Sequence, residues 1–181
     1  MAQKPPRARA VQAMKQVFAQ HGYEGASLTA LGKAGGLSKA GLYHHFPGGK
    51  ADMASQVLVA SGKDFTRLVL APLRSKDPAA ERLYAMLDGL NTYYQSGTIN
   101  CLMNTLALGE GLPAFGPNIK AAISAWLAAL TPTLEELGEA DGAHAARTLV
   151  ATVHGALIQT RLFDDPGFFT EMLTTYRRRY R

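Results

Sequence analysis

An all-α fold of about nine helices is what this 181-residue sequence predicts, on three observations. Apolar residues recur at spacings of three and four along nearly the whole chain. No stretch alternates apolar and polar residues long enough to make a strand. Ser, Asp, Gly and Pro stand where helices with those apolar faces would have to begin and end. With 47% hydrophobic and 18% charged residues there is material for a real core and too little charge for a disordered chain.

The elements follow in order. Val11, Met14, Val17 and Phe18 give a first helix one apolar face from about Arg7 to His21, and Gly22 supplies the stop. Ser27 caps a short second helix with Leu28, Leu31 and Ala34 inward, and Gly35-Gly36 breaks it. Ser38 caps a third helix through Tyr43 and His44, which ends at Phe46-Pro47-Gly48-Gly49. From Lys50 to Ala71 the set Met53, Val57, Leu58, Phe65, Leu68 and Val69 describes a helix of about 33 Å, ended by Pro72.

Asp77-Pro78 and Asp165-Pro166 each read as an N-cap followed by proline at the first helical position, where a missing N–H costs nothing. The helix after Asp77 carries Leu83, Met86, Leu87, Leu90, Tyr93 and Tyr94 and stops near Gly97. A short apolar stretch from Cys101 to Glu110 is closed by Gly111 and Pro113. From Pro117, Ile123, Trp126, Leu127, Leu130, Leu134 and Leu137 fall at helical spacing, with a kink expected at Pro132 and an end at Gly138. Asp141 caps the next helix, with Leu149, Val150, Val153 and Leu157. The last holds Phe168, Phe169, Met172, Leu173 and Tyr176.

Charge divides the chain. Lys4, Lys15, Lys33, Lys39, Lys50, Arg7 and Arg9 face only Glu24 and Asp52 in residues 1–55, so this head carries the whole net charge of +5. The remainder is neutral, with four arginines gathered at Arg177-Arg178-Arg179-Tyr180-Arg181, where cations suit a helix C-terminus. A basic head on a neutral apolar body suggests a polyanion partner, although charge alone does not separate DNA from RNA or an anionic membrane. The boundary expected from this is a domain of residues 1–49 and a body of residues 50–181. One Cys excludes a disulfide framework and a cysteine zinc cluster. No apolar leader or run long enough to span a bilayer is present, so a cytoplasmic protein without a membrane partner is expected.

Two short helices joined through a Gly-containing turn have the dimensions of a helix-turn-helix. Ser38 ties down orphan N–H groups of the second helix, Leu42 and Phe46 return to the small core, and Lys39, Ala40, Tyr43 and His44 face outward. The N-terminal part of such a helix enters the major groove. Lys39 is suited to guanine O6 or N7, and Tyr43 to a phosphate.

The run Phe18-Ala19-Gln20-His21-Gly22-Tyr23-Glu24-Gly25-Ala26-Ser27-Leu28-Thr29, followed by Gly36-Leu37-Ser38-Lys39-Ala40-Gly41-Leu42-Tyr43-His44-His45-Phe46, resembles the TetR/AcrR family of bacterial transcriptional regulators. Cys101-Leu102-Met103-Asn104 to Glu110 before a long helix looks like the branch typified by LmrA and YxaF. The resemblance implies a three-helix DNA-binding head joined by a long helix 4 to a ligand-binding and dimerisation body. It also implies a homodimer that holds a near-palindromic operator in double-stranded DNA and is released by a small, largely apolar effector, most simply as a repressor. Carried over by position, Ser27, Thr29, Ser38, Tyr43, His44 and Lys50 match places that touch phosphates, and Lys39 and Ala40 places that face base edges. Two departures bear on this: Gly41 stands where a hydroxyl is frequent, and Pro47-Gly48-Gly49-Lys50 has one residue more than the commoner Phe-Pro-x-Lys. They keep open an alternative, a small-molecule-binding helical protein without specific operator binding.

In the body, Tyr94, Met103, Trp126 and His154 are the candidates for effector contact, because each adds a polar edge or an adaptable sulfur to an apolar wall. Most residues at such spacings are simply core, and His154 on an apolar helix is also read as a hydrogen-bonded interior residue. Val153, Ala156, Phe168, Phe169 and Met172 on the last two helices are the candidates for a dimer interface, the bland reading being packing within one chain. His44-His45 point about 100° apart on a helix and do not chelate one metal, so no metal is expected. Cys101 reads as a small buried hydrophobe rather than a redox sensor. No nucleophile motif, Gly-rich phosphate loop or dinucleotide fingerprint is present, so neither an enzyme nor a cofactor is expected.

Overall fold

The structure is a computed structural model that describes residues 7–181; Lys4 and the Pro5-Pro6 pair of the basic start lie outside them. Among the described residues it is all helical: α1 (Arg7–Gly25), α2 (Leu28–Gly35), α3 (Lys39–His45), α4 (Gly49–Phe65), α5 (Ala79–Tyr93), α6 (Leu102–Leu106), α7 (Gly111–Glu136), α8 (Gly142–Phe163) and α9 (Gly167–Arg179). A π-helical turn, Thr66–Leu70, and a last turn, Ala71–Leu73, carry α4 onward, so the described residues hold nine helices.

The chain divides into two compact units, one reaching through Lys63 with Leu102–Ile119 added, the other made of Asp64–Cys101 and Lys120–Arg181. In the first, Ala10, Val11, Met14 and Phe18 of α1 are buried with Leu31, Leu42 and Phe46. Each large side chain so buried contributes about 1.5–3 kcal/mol of transfer free energy. Gly22, at φ 68°, breaks α1 where the spacing placed its stop. Beyond this kink α6 packs against α1, with Thr105 Oγ1 donating to the carbonyl of Phe18 at 3.4 Å. Leu102, Leu106, Phe115 and Ile119 complete the apolar interior of this unit.

The second unit is built on Leu83, Met86, Leu87, Leu90 and Tyr94 of α5, Trp126, Leu130 and Leu134 of α7, Leu149 and Val153 of α8 and Phe169 of α9, all buried. Arg82 donates to the Leu73 carbonyl at 3.5 Å and to the carboxylate of Glu136. The C-terminal arginines are engaged here: Arg177 pairs with Asp88, and Arg179 with Glu139 at 2.8 Å. The Glu139 carboxylate also accepts from Tyr180 Oη at 2.6 Å. Burial and that hydrogen bond push the Tyr180 phenol up.

Four boundaries differ from expectation. Pro72 does not end the fourth helix, which continues to Leu73. The widened π turn, in which Ala71 N–H reaches the Thr66 carbonyl, precedes the proline and accommodates its ring and missing donor. Asp77 does not cap α5: Pro78, extended at ψ 146°, is the capping residue, and the Asp77 carboxylate accepts from Ser75 Oγ at 2.8 Å. The helix placed after Pro117 begins at Gly111, because Pro113 falls in its first turn, where the lost N–H has no partner to miss. Asp141 does cap, accepting from His144 N–H at 2.8 Å, whereas Asp165 does not: Pro166 is the capping residue of α9, and the Asp165 carboxylate accepts from Gly167 N–H at 2.8 Å from outside the helix.

Candidate nucleic-acid interface and body cluster

Local chemistry sets the helix-turn-helix. Ser27 Oγ accepts from Ala30 N–H at 3.1 Å, fixing the start of α2. Gly36 closes α2 in the left-handed conformation at φ 63°, donating to the carbonyls of Gly32 and Lys33. The turn is tight: a Cβ at Gly32 would come within 2.9 Å of the Leu37 carbonyl oxygen. Two residues later Ser38 Oγ accepts from Gly41 N–H at 3.1 Å and starts α3. Leu42 and Phe46 are buried, and this pins one side of α3 so that Lys39, Ala40, Tyr43 and His44 stand exposed on the other. His44 meets His45 edge to face at 5.2 Å, and His45 lies against Phe46 at 6.4 Å, turned inward. Gly41 is buried in contact with the Ser38 hydroxyl, so no side chain is presented at that position.

Ser27, Thr29 and Ser38 are also exposed, and between α2 and α3 runs a groove of about 450 Å³ lined by Thr29, Lys33 and Lys39 over Leu28, Gly32, Leu37 and Leu42. Lys50 is placed differently. It is half-buried, its ammonium 4.7 Å from the centre of the Tyr23 ring and donating to the Glu24 carbonyl at 3.4 Å. Tyr23 in turn meets Phe115 edge to face at 5.2 Å, and the Glu24 carboxylate accepts the N–H of Glu110. Hydrogen bonds from its own N–H and from that of Glu110 hold the Glu24 carboxyl below its ordinary range, with Lys50 adding to the effect. Sequence reasoning did not find this seat: its partners lie 86 residues apart, and an exposed polar contact leaves no periodic trace.

In the second unit an unbroken chain of ring contacts runs from Phe169 through Tyr94, Tyr93, Phe65 and Trp126 to His154, with neighbouring centres 4.9 to 6.2 Å apart. Of the effector candidates, Trp126 and His154 are neighbours at 6.2 Å. Tyr94 stands further along the chain, its hydroxyl donating to Cys101 Sγ at 3.5 Å. Met103 belongs to α6 in the first unit. Trp126 Nε1 and His154 Nε2 are buried without a hydrogen-bond partner, and burial lowers the His154 pKa. Cys101 is buried.

Of the interface candidates, Val153, Ala156, Phe169 and Met172 are buried within the chain, and Phe168 is half-buried. Beside them α8 exposes Ile158, Leu162 and Phe163, the last stacked on Phe168 at 5.1 Å. No group of three or more His, Cys, Asp or Glu able to hold a metal occurs among the described residues. No helix there is long and apolar enough to cross a membrane.

Against known proteins, residues 11–57 match the family profile described as bacterial regulatory proteins, tetR family. Over 165 residues, 84% of each chain, the sequence is 27% identical to the HTH-type transcriptional regulator LmrA of Bacillus subtilis (strain 168). Its fold is that of a TetR transcriptional regulator from Legionella pneumophila, with a TM-score of 0.80 at 20% identity over the whole of both chains. A TetR family regulator from Agrobacterium tumefaciens superposes with a TM-score of 0.78 at 21% identity over 96% of each chain.

Proposed function

We propose that this chain, whose residues 11–57 match the tetR family profile, is a TetR-family regulator, a ligand-released repressor holding a near-palindromic operator as a homodimer. The observation that carries the reading is the exposed face of α3. Lys39 and Ala40 stand at its capped N-terminus, where base edges would lie, and Tyr43 and His44 follow one turn on, within reach of the backbone. Ser27, Thr29 and Ser38 add hydroxyls for phosphate oxygens, and Lys50 adds a charge once it leaves Tyr23. Two such helices fit successive major grooves when half-sites lie roughly 34–36 Å apart or at multiples of that.

Dimerisation through α8 and α9 is supported by Ile158, Leu162 and Phe163, three large apolar side chains exposed on one helix beside Phe168. Val153, Ala156, Phe169 and Met172, the other residues expected there, are buried within the chain. The effector site of this reading lies in the second unit at Trp126 and His154, with Tyr94 as the further candidate there. The protein acts in the cytoplasm, where its operator is. Selection from random duplexes with the full chain tests the reading: a palindromic motif is expected, and recovery of no sequence preference at moderate salt refutes specific operator binding.

A further inference from the structure

We propose that the second unit takes an uncharged, ring-containing small molecule whose hydroxyl or carbonyl oxygen is held between Trp126 Nε1–H and His154 Nε2, against the rings of Phe65 and Tyr93. This deepens the effector reading above and rests on it.

The unit uses the polar ends of its aromatic side chains with economy. Tyr84 donates to the Tyr180 carbonyl, Tyr94 to Cys101, Tyr176 to Thr152 and Tyr180 to Glu139. Trp126 departs from that pattern, for its side chain is wholly buried and its indole N–H meets no acceptor. The neighbouring imidazole brings a second buried nitrogen without a partner, its ring 6.2 Å from the indole at an interplanar angle of 65°. Buried polar groups are ordinarily paired, and an unpaired one calls for an explanation. Two on neighbouring rings call for a group that can answer both, and a single ligand oxygen has the chemistry to do so. A hydroxyl accepts from the indole and donates to Nε2 when that nitrogen carries its lone pair; a carbonyl accepts from both when Nε2 is protonated.

Charge narrows the class. Burial holds His154 toward its neutral form, so neither member of the pair supplies a full charge for an anion or a carboxylate for a cation. The charged residues of the two helices that carry them, Lys120, Glu135, Glu136, Arg147 and Arg161, are all exposed. Ring character follows from the walls: Phe65 meets Trp126 edge to face at 5.1 Å, and Tyr93 meets Phe65 in the same way at 5.3 Å. A flat ring gains most against such a surface.

Trp126 is the single tryptophan of the chain, so emission excited at 295 nm reports from this place directly. The test uses the full chain with p-cresol, toluene and benzoate, three probes of one ring size that differ in carrying a hydroxyl, nothing polar or a charge. We expect p-cresol to bind with a change in Trp126 emission and benzoate to bind at least tenfold more weakly. The ratio of p-cresol to toluene affinity should fall about tenfold in a folded His154→Leu variant, the loss of roughly one hydrogen bond. Equal loss of both probes in the variant, benzoate binding as tightly as p-cresol, or no binding of p-cresol overturns the proposal. Operator release by some other compound that leaves Trp126 emission unmoved overturns it while the regulator reading stands. A chain that takes p-cresol as described yet selects no operator supports the site and refutes the operator reading.

Discussion

Replacing Gly89 by alanine tests the way the π turn is held. A Cβ on Gly89 of α5 would lie 1.8 Å from the carbonyl oxygen of Leu68 and 2.7 Å from its carbon, both backbone atoms inside Thr66–Leu70. Carbon and carbonyl oxygen approach to about 3.3 Å in the closest ordinary contacts, so the two segments must part by roughly 1.5 Å. Leu83, Met86 and Leu90 on α5 and Val69 on the turn, all buried, lose contact as they do. Overpacking of this kind costs about 1–3 kcal/mol or more, and a chain of this size loses roughly 2–4 °C of melting temperature per kcal/mol. A fall of about 5–10 °C in thermal unfolding followed by circular dichroism is therefore expected. Gly62→Ala in α4, where an added Cβ meets nothing within 4 Å, is the matched control and should raise the midpoint by a few degrees, as alanine favours a helix by about 1 kcal/mol over glycine. If Gly89→Ala melts at or above the parent temperature, the close approach of Leu68 to α5 is not what the turn depends on.

Other perturbations read separate parts of the molecule. Ser38→Ala removes the cap of α3 and should cost about 1 kcal/mol, seen as a midpoint lower by a few degrees; an unchanged midpoint argues against the cap. Because burial lowers the folded pKa of His154 below its ordinary 6.5, the unfolded chain binds the extra proton between those two values. Stability should then fall as pH drops through about 6.5, a limb that His154→Leu flattens in melting curves taken from pH 7.5 to 5.5. Lys50→Ala should weaken binding alike across operator sequences and reduce the slope of log affinity against log salt by about 0.9 per head; an unaltered slope means that Lys50 stays on Tyr23. Leu162→Glu, at a side chain 74% exposed, should leave the fold intact and shift sedimentation toward monomer, and an unaltered dimer places the interface elsewhere.

How much was legible in the sequence depended on how local the cause was. Ser27, Gly36 and Ser38 act within four residues of themselves, and the helix-turn-helix could be drawn from spacing alone. Gly22 and Asp141 likewise act on their own neighbours. Pro72 misled because a proline reads as a stop, whereas a π turn ahead of it lets the helix run on. The seat of Lys50 was hidden: Tyr23, Glu24, Glu110 and Phe115 are ordinary residues whose meeting depends on the kink at Gly22 and the left-handed turn at Gly109. In the body, periodicity marked Trp126 and His154 as interior. That their rings would be neighbours with both nitrogens unpaired is a matter of three-dimensional packing with no signature in spacing.

The helix-turn-helix is not a contiguous cassette. Its unit draws on Leu102–Ile119, so the part of the chain that would carry DNA specificity is encoded in two separated stretches. Cutting after Lys63 would leave Phe18 without the Thr105 hydroxyl on its carbonyl and Tyr23 without Phe115. A chimera meant to transfer operator choice between relatives must therefore exchange both stretches together. Recombination that swaps only the first would join a head to a foreign α6, and selection on such hybrids should act at Tyr23, Glu24 and Phe115 before it acts on any base-reading residue.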